Sequence, residues 1–166
     1  MSTDQKSMNI DPYERGWMIF SVVLLVAFFA LVTVAGFSMG IQLPGPELRV
    51  DPTTVDAEGE PWHPDNVGLR ELAPGKYEAY VLSQVWSFNP RELTVPVGST
   101  VTFYVTSKDL QHGFKLQDTN INMQIVPGQV SKLSVTFESP GEYIFICHEY
   151  CGAGHAAMFG QVNVEP

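Results

Sequence analysis

Positively charged side chains are scarce in this sequence. Its 166 residues include nine lysines and arginines against 18 aspartates and glutamates, which gives a formal net charge of −9 at pH 7. Beyond residue 43 the count is seven basic against fifteen acidic side chains. An acidic surface repels nucleic acid and favours basic protein partners. We therefore expect no nucleic-acid partner, although the need for a soluble surface explains the acidity equally well.

Charge is absent altogether between Trp17 and Leu43. A helix of about 20 apolar residues already crosses a bilayer core of roughly 30 Å, so we predict a transmembrane helix at 17–43. The segment is too long for the apolar part of a signal peptide, and Asp4, Asp11 and Glu14 stand where such a peptide is basic. A cleaved leader is the weaker alternative, which an alanine–glycine pair late in the segment would permit.

The few charges around this segment predict its orientation. Lys6 and Arg15 precede it and only Arg49 follows closely, which favours a cytoplasmic N-terminus. The chain would cross the cell membrane once, with the long C-terminal part on the periplasmic, extracytoplasmic side. Residues 1–16 form a polar leader, and we expect the helix to extend back into it through Pro12–Arg15.

Signals for regular pairing are missing between residues 44 and 75. Prolines interrupt this segment throughout, and acidic residues are scattered between them. We therefore predict an irregular linker at 44–75. The prolines are Pro44, Pro46, Pro52, Pro61, Pro64 and Pro74.

From residue 76 onward, helical periodicity is absent and short runs of β-branched and aromatic residues follow one another. Turn signals such as Val97-Gly98-Ser99 separate these runs. Many short strands at this spacing predict an all-β sandwich or Greek-key barrel at 76–166. The predicted strands are 77–82, 93–95, 100–106, 122–126, 133–137, 143–147 and 161–164.

Cysteine is nearly absent, and the two cysteines of the chain, Cys147 and Cys151, share one loop with His155 and Met158. Two thiolates, an imidazole and a thioether form a soft donor set, which selects copper over hard cations. His112, which follows a predicted strand, would supply a second imidazole.

These residues contain more donors than one copper ion needs. One cysteine, two histidines and a weak methionine already make a mononuclear blue-copper site, so the second cysteine is one thiolate too many. A pair of bridging sulfurs is what two copper ions need to lie close together. Each copper would keep one imidazole, from His112 or His155. Met158 and the main-chain carbonyl of Glu149 would be weak ligands on opposite coppers.

This donor set predicts electron transfer rather than substrate turnover. When two bridged metals share one electron, each bond length changes little on reduction, and the reorganisation barrier is small. Turnover of a substrate would need an open coordination position. Five side chains and a carbonyl leave none, so the predicted site carries electrons and binds no substrate.

Two other sites compete with this interpretation. Two cysteines in an extracytoplasmic domain form a disulfide by default, but that leaves the spacing of His112, His155 and Met158 as coincidence. A tetrahedral zinc site of cysteine and histidine alone gives Met158 no role. We expect the remaining histidines, His63 and His148, to be free at the surface.

The chain resembles a known family over nearly its whole length. Residues 76–166 resemble a cupredoxin domain, and the Cys-x3-Cys-x3-His-x2-Met loop is similar to the CuA motif of cytochrome c oxidase subunit II. The single membrane helix is similar to the short subunit II of B-type haem-copper oxidases. Matching segments are Tyr13-Glu14-Arg15-Gly16-Trp17, Val50-Asp51-Pro52-Thr53-Thr54-Val55, Val95-Pro96-Val97-Gly98, His112-Gly113-Phe114, Pro140-Gly141-Glu142-Tyr143 and Met158-Phe159-Gly160.

The resemblance implies a place in an electron-transfer complex. A cytochrome c would reduce the copper pair, which would pass electrons to haem in subunit I, where oxygen is reduced to water with proton translocation. A small third subunit and membrane lipid are further implied partners. Trp86 and Phe88 occupy the aromatic stretch where the family receives electrons, although Gln84 departs from its more aromatic versions. Packing is an equally good interpretation of both aromatic residues.

Two acidic residues acquire roles by the same resemblance. Glu14 matches a carboxylate near the mouth of a proton channel, with a simple helix-end charge as the alternative. Glu149 lies between the cysteines, where some relatives hold magnesium with the side chain at a subunit interface.

Three other functions fit parts of this pattern. A membrane-anchored copper chaperone also uses Cys-x3-Cys and a distant histidine, but its thioredoxin-like fold requires βαβ alternation that is missing here. Nitrous-oxide reductase carries the same copper domain beside a large propeller, for which this chain has no room. A stand-alone membrane cupredoxin would lack an oxidase partner.

Overall fold

The computed structural model of the protein describes residues 10–38 and 46–166. The chain divides into two units, residues 1–41 and 42–166. Residues 1–9 of the predicted leader lie outside the described residues. So do residues 39–45, which hold the end of the predicted membrane span and the start of the predicted linker.

Within residues 10–38, the first unit contains one apolar helix, α1, at Pro12–Ser38. Asp11 caps it, because its carboxylate accepts a hydrogen bond from the Tyr13 N–H at 2.8 Å. Proline suits the first helical position, where its missing N–H costs nothing, and Glu14 in the first turn complements the helix dipole. The predicted extension through Pro12–Arg15 is confirmed. The helix is long and apolar enough to cross a membrane, and none of its residues is buried.

The second unit is a β-sandwich, with eleven strands among the described residues. Sheet one has the order β1-β9-β6-β3-β2, with β4 paired to β3, and sheet two has the order β5-β11-β10-β7-β8. The strands are β1 (Pro46–Arg49), β2 (Gly68–Ala73), β3 (Lys76–Gln84), β4 (Ser87–Asn89), β5 (Glu92–Pro96), β6 (Thr100–Ser107), β7 (His112–Leu116), β8 (Asn122–Ile125), β9 (Gln129–Thr136), β10 (Gly141–Ile146) and β11 (Phe159–Glu165). All seven predicted strands are present within a few residues of their expected bounds.

The main hydrophobic core lies on the inner faces of these strands. In β6, Val101, Phe103 and Val105 are fully buried while the residues between them are half-buried, as the alternation predicted. Phe114 on β7 stacks on Phe145 of β10, with ring centroids 4.9 Å apart. Because aromatic pairs bury large areas in a fixed geometry, this pair holds β7 against β10, which leads into the loop at 147–158.

The segment predicted as an irregular linker contains β1 and β2, so that prediction is wrong for these stretches. Pro46 is the first residue of β1, and Pro74 lies in the turn after β2. Both strands are at sheet edges, where a missing N–H removes no necessary hydrogen bond. The prolines therefore limit the strands without preventing pairing.

Residues between β1 and β2 pack as a cover on the second face of sheet one. Trp62 and Val55 are buried in a cluster with Leu82 and Val130. The Trp62 ring meets Tyr80 edge-on, with centroids 5.5 Å apart. Sheet one is consequently buried on both faces around β3. This explains why the side chains in the middle of β3 are apolar or aromatic on both faces.

Two further short strands were not predicted. Ser87–Asn89 forms β4, and His112–Leu116 forms β7, so His112 begins a strand instead of following one. Gly113 and Lys115 weaken the β pattern of this stretch, and its pairing with β8 and β10 supplies what local propensity does not.

Candidate metal centre

Neighbouring strands of sheet two bring the candidate ligands to one end of the sandwich. Strands β7 and β11 both pair antiparallel with β10. His112 is the first residue of β7, Cys147 directly follows β10, and Met158 directly precedes β11. The end of β10 pairs with the start of β11 and with the last residues of β7, so the residues that follow β10 run beside the start of β7. These three side chains therefore converge although they are far apart in sequence.

The two cysteine sulfurs are close but not bonded. The Sγ atoms of Cys147 and Cys151 lie 3.7 Å apart, against about 2.05 Å in a disulfide. Both side chains are buried free thiols. The structure therefore favours a thiol pair over the disulfide alternative.

Each sulfur has its own imidazole. His112 Nδ1 lies 3.9 Å from the Sγ of Cys147, and His155 Nδ1 lies 3.7 Å from the Sγ of Cys151. His112 is fully buried, and His155 is half-buried at the start of a short 3-10 helix, His155–Ala157. Ring nitrogens facing sulfur on both sides make a donor set for metal, because neutral imidazole and thiolate are both good ligands of copper.

Two weaker donors complete the cluster. The buried Sδ of Met158 lies 3.7 Å from the Sγ of Cys151, and the carbonyl oxygen of Glu149 lies 3.2 Å from the Sγ of Cys147. The carboxylate of Glu149 instead faces Gln111 and His148, at 3.5 and 3.6 Å. The carbonyl and the carboxylate of Glu149 thus have separate surroundings.

Hydrogen bonds within the loop fix the sulfur positions. The N–H of Cys147 donates to the carbonyl of Met158 at 3.1 Å, which ties the two ends of the loop together. The N–H of Gly113 points at the Sγ of Cys147 from 3.5 Å. This contact adds a second main-chain restraint on the position of the sulfur.

Trp86 covers the outside of this loop. Its indole N–H donates to the carbonyl of Cys151 at 3.0 Å. A Cβ added at Gly152 or Gly154 would lie 3.0 or 2.5 Å from the nearest indole atom. Only glycine at these positions lets the indole approach so closely, which gives the glycine-containing loop a packing role.

Burial and the neighbouring Cys147 keep the thiol of Cys151 protonated when no cation is near. Burial, then the hydrogen bond and charge of Cys147, and then Asp109 raise the pKa of Cys151 to about 11. Metal binding to this sulfur would therefore have to release its proton.

The other candidate residues occupy different places. Trp86 is 44% exposed, whereas Phe88 is 1% exposed and packs edge-on against Phe114 and Phe145. Glu14 belongs to the first turn of α1, in the other unit of the chain. His148 lies over Gly113, where an added Cβ would come within 2.6 Å of its ring.

One residue of the site was missed from the sequence. The carboxylate of Asp109 accepts a hydrogen bond from Nε2 of His112 at 2.8 Å. Although burial opposes it, this bond and those from the N–H groups of Val85 and Leu110 lower the pKa of Asp109. The available signal was an acid three residues before a candidate histidine ligand.

The chain is similar to known proteins. The family of the cytochrome c oxidase subunit II periplasmic domain matches residues 76–164. Two proteins of Thermus thermophilus named cytochrome c oxidase subunit 2 are similar to this chain. One is 43% identical over 155 residues, covering 92% of each chain, and the other is 42% identical over 133 residues, covering 80% of this chain and 98% of that one. This chain belongs to the cytochrome c oxidase subunit II family.

A solved structure is similar to this subunit II over the same extent. A chain in a cryo-EM structure of a heme-copper terminal oxidase dimer superposes with a TM-score of 0.74 at 33% identity, covering 92% of this chain and 99% of that chain. The predicted family is confirmed, as is the all-β cupredoxin fold with one N-terminal apolar helix. As a cytochrome c oxidase subunit II, the chain is part of an oxidase complex and has a subunit I as partner. The helix and the match to a periplasmic domain fit a membrane subunit.

Proposed function

We propose that this subunit II is the electron-entry subunit of a terminal haem-copper oxidase and that it holds a dinuclear CuA copper centre. With copper bound, the subunit would take electrons from a cytochrome c and pass them to haem in subunit I, where oxygen is reduced to water with proton translocation. The observation that carries the proposal is a pair of unbonded sulfurs 3.7 Å apart, each beside its own imidazole. The proposed metal ligands are Cys147, Cys151, His112, His155, Met158 and the carbonyl oxygen of Glu149.

The number and softness of the donors support two copper ions. A mononuclear cupredoxin site uses one thiolate, two imidazoles and one weak axial ligand. This cluster holds one further thiolate and one further weak donor, both within van der Waals reach of the others. The six donors together would hold two copper ions, with both sulfurs available to each. When bound, the copper pair supplies a one-electron redox couple shared between two metals.

The protein contributes a rigid surrounding to this couple. Cys147 is tied to Met158 through the main chain, and Cys151 is held by the indole of Trp86. Ligands that are held in place by packing and hydrogen bonds move little when an electron arrives. Small movement keeps the barrier to electron transfer low.

Trp86 is the proposed point of electron entry. Its side chain is partly exposed, so a docking partner could reach it. Its indole N–H donates a hydrogen bond to the main-chain carbonyl of the candidate ligand Cys151. Phe88 was assigned to the same path, but its complete burial in the phenylalanine core supports the packing alternative. The acidic domain suits a basic cytochrome c as partner.

Glu149 is the proposed ligand for a magnesium ion at the interface with subunit I. Its carbonyl faces Cys147, which leaves the carboxylate beside Gln111 and His148. Magnesium binds through one or two carboxylates and keeps several waters, so a single acid at an interface can contribute. Binding of magnesium and of copper would then use different atoms of Glu149.

The proposed membrane arrangement follows from α1. The helix crosses the cell membrane once with the N-terminus in the cytoplasm and the copper domain in the periplasm, and it contacts lipid, subunit I and a small third subunit. The apolar surface of α1, which has no buried residue, supports such contacts.

Glu14 is the proposed collector of protons at the mouth of a proton channel. In the purified oxidase, Glu14→Ala is expected to slow oxygen reduction without altering the copper spectrum, because the carboxylate is lost far along the sequence from the metal ligands. Oxygen uptake and the visible spectrum are measured together. Glu58→Ala, which removes another exposed acid, is the control, and unchanged turnover in Glu14→Ala rejects the channel role.

The proposed function is tested by loading the full-length chain in detergent with copper. Metal analysis should give two coppers per chain, and added reduced cytochrome c should become oxidised as the copper is reduced. One copper per chain, or no electron transfer from the cytochrome, would contradict the proposal.

A further inference from the structure

We infer that Asp109 is a positioning residue that holds both His112 and the turn bearing Trp86 in place around the centre. The inference rests on the proposed copper function and concerns the contacts that hold the candidate metal ligands in place. The side chain of Asp109 is 27% exposed and lies in the turn between β6 and β7. Its two carboxylate oxygens have different partners, one for each of these parts.

The first oxygen sets the tautomer of His112. Oδ1 lies 2.8 Å from Nε2 of the fully buried ring. An ionised carboxylate can only accept, so Nε2 must carry the proton and donate it. The opposite nitrogen, Nδ1, then presents a lone pair toward the Sγ of Cys147 at 3.9 Å. Asp109 thus prepares the ring nitrogen that a metal would use.

The second oxygen holds the Trp86 turn. Oδ2 accepts a hydrogen bond from the N–H of Val85 at 2.7 Å. The next residue, Trp86, donates its indole N–H to the carbonyl of Cys151 at 3.0 Å. One carboxylate therefore connects the upstream ligand His112 to the residue that covers the downstream ligand Cys151.

The turn is built to hold this carboxylate still. The N–H of Leu110 donates to Oδ1 at 2.6 Å. The hydroxyl of the fully buried Ser107 donates to the carbonyl of Leu110 at 2.6 Å, which closes the turn around Asp109. With three N–H donors on two oxygens, the carboxylate has little freedom to rotate.

Loss of this carboxylate has two separable consequences. The ring of His112 loses its fixed tautomer. Removing the hydrogen-bond partner of a metal-binding histidine typically lowers metal affinity by about 10- to 100-fold. The negative charge beside a ligand also favours the oxidised, more positive state of the metal. Removing the charge therefore favours reduction.

The test uses the full-length chain in detergent, with Asp109→Asn and Asp109→Ala as variants. Asp118→Asn is the matched control, because it removes an exposed acid just beyond the other end of β7. Nitrogen-15 NMR of the histidines in metal-free protein should show His112 protonated only at Nε2 in the wild type and the control. In both variants the ring should become a mixture of tautomers.

Copper-loaded protein supplies two further readouts. In competition with a chelator, both variants should bind copper with about 10- to 100-fold lower affinity than the wild type. At a fixed solution potential the reduced-to-oxidised ratio should rise about tenfold in Asp109→Asn, which corresponds to about 59 mV for one electron. A merely structural role would not shift the potential in the charge-neutralising variant.

An unchanged His112 tautomer in Asp109→Ala would overturn the inference, whatever happens to copper. Equal effects of Asp118→Asn and Asp109→Asn on the potential would overturn it as well. Because the tautomer is read without metal, this failure is distinguishable from a failure of the copper proposal, which would appear as absence of copper binding in the wild type.

Discussion

Cys147→Ser is expected to remove at least one copper. It should also abolish the electron paramagnetic resonance spectrum of one electron shared by two copper nuclei. A serine oxygen is a harder and weaker ligand than thiolate and does not bridge two coppers. The remaining donors, Cys151 with His112, His155 and Met158, match a mononuclear cupredoxin site. Metal analysis should fall from two coppers per chain to one or none, and cytochrome c should no longer be oxidised at the wild-type rate.

Two controls separate bridging from general damage to the loop. Met158→Leu removes a weak ligand at nearly equal volume, so both coppers should remain while the potential changes. His63→Ala alters a histidine in the cover of sheet one and should change nothing. Two coppers in Cys147→Ser would show that the assignment of this cysteine as a bridge is wrong.

Gly154→Ala is expected to open the ligand loop by displacing Trp86. The backbone of Gly154 has φ −91° and ψ 7°, which an alanine can adopt, so the added methyl itself is the only obstacle. Its Cβ would lie 2.5 Å from Cγ of the indole. Moving the indole breaks its hydrogen bond to Cys151. We expect the affinity for copper to fall about 10- to 100-fold, as when a group that orients a metal ligand is lost.

A double substitution tests the cause of this loss. Trp86→Ala removes the indole, so adding Gly154→Ala to it should cost almost nothing further, which makes the two effects strongly non-additive. Ala153→Ser changes an exposed neighbour and serves as the control. Additive losses in copper titrations of the two variants would show that the contact between Trp86 and Gly154 does not hold the loop.

The candidate site was predictable because its chemistry is local in sequence. Cys147, Cys151, His155 and Met158 lie on one loop, and their donor types alone indicate copper. The assignment of His112 needed only one assumption about a long-range contact, namely that a histidine near a strand end reaches the same loop. The main strands were equally predictable, because β-branched runs and turn residues mark them independently of tertiary contacts.

The parts that the sequence did not predict depend on contacts between distant segments. Strand β2 contains Gly68 and Glu71 and is stabilised by its pairing with β3, so local propensity does not reveal it. Trp62 was assigned to a linker because only the assembled sheet presents Tyr80 and Leu82 for it to cover. Asp109 acquires its role only when the turn after β6 places its carboxylate between Val85 and His112.

The most direct test of the account is electron paramagnetic resonance of the oxidised, copper-loaded, full-length chain, with metal content measured on the same sample. The account predicts two coppers per chain and a spectrum in which one unpaired electron is split equally by two copper nuclei. A spectrum split by a single copper nucleus, or material in which Cys147 and Cys151 are joined in a disulfide, would contradict it.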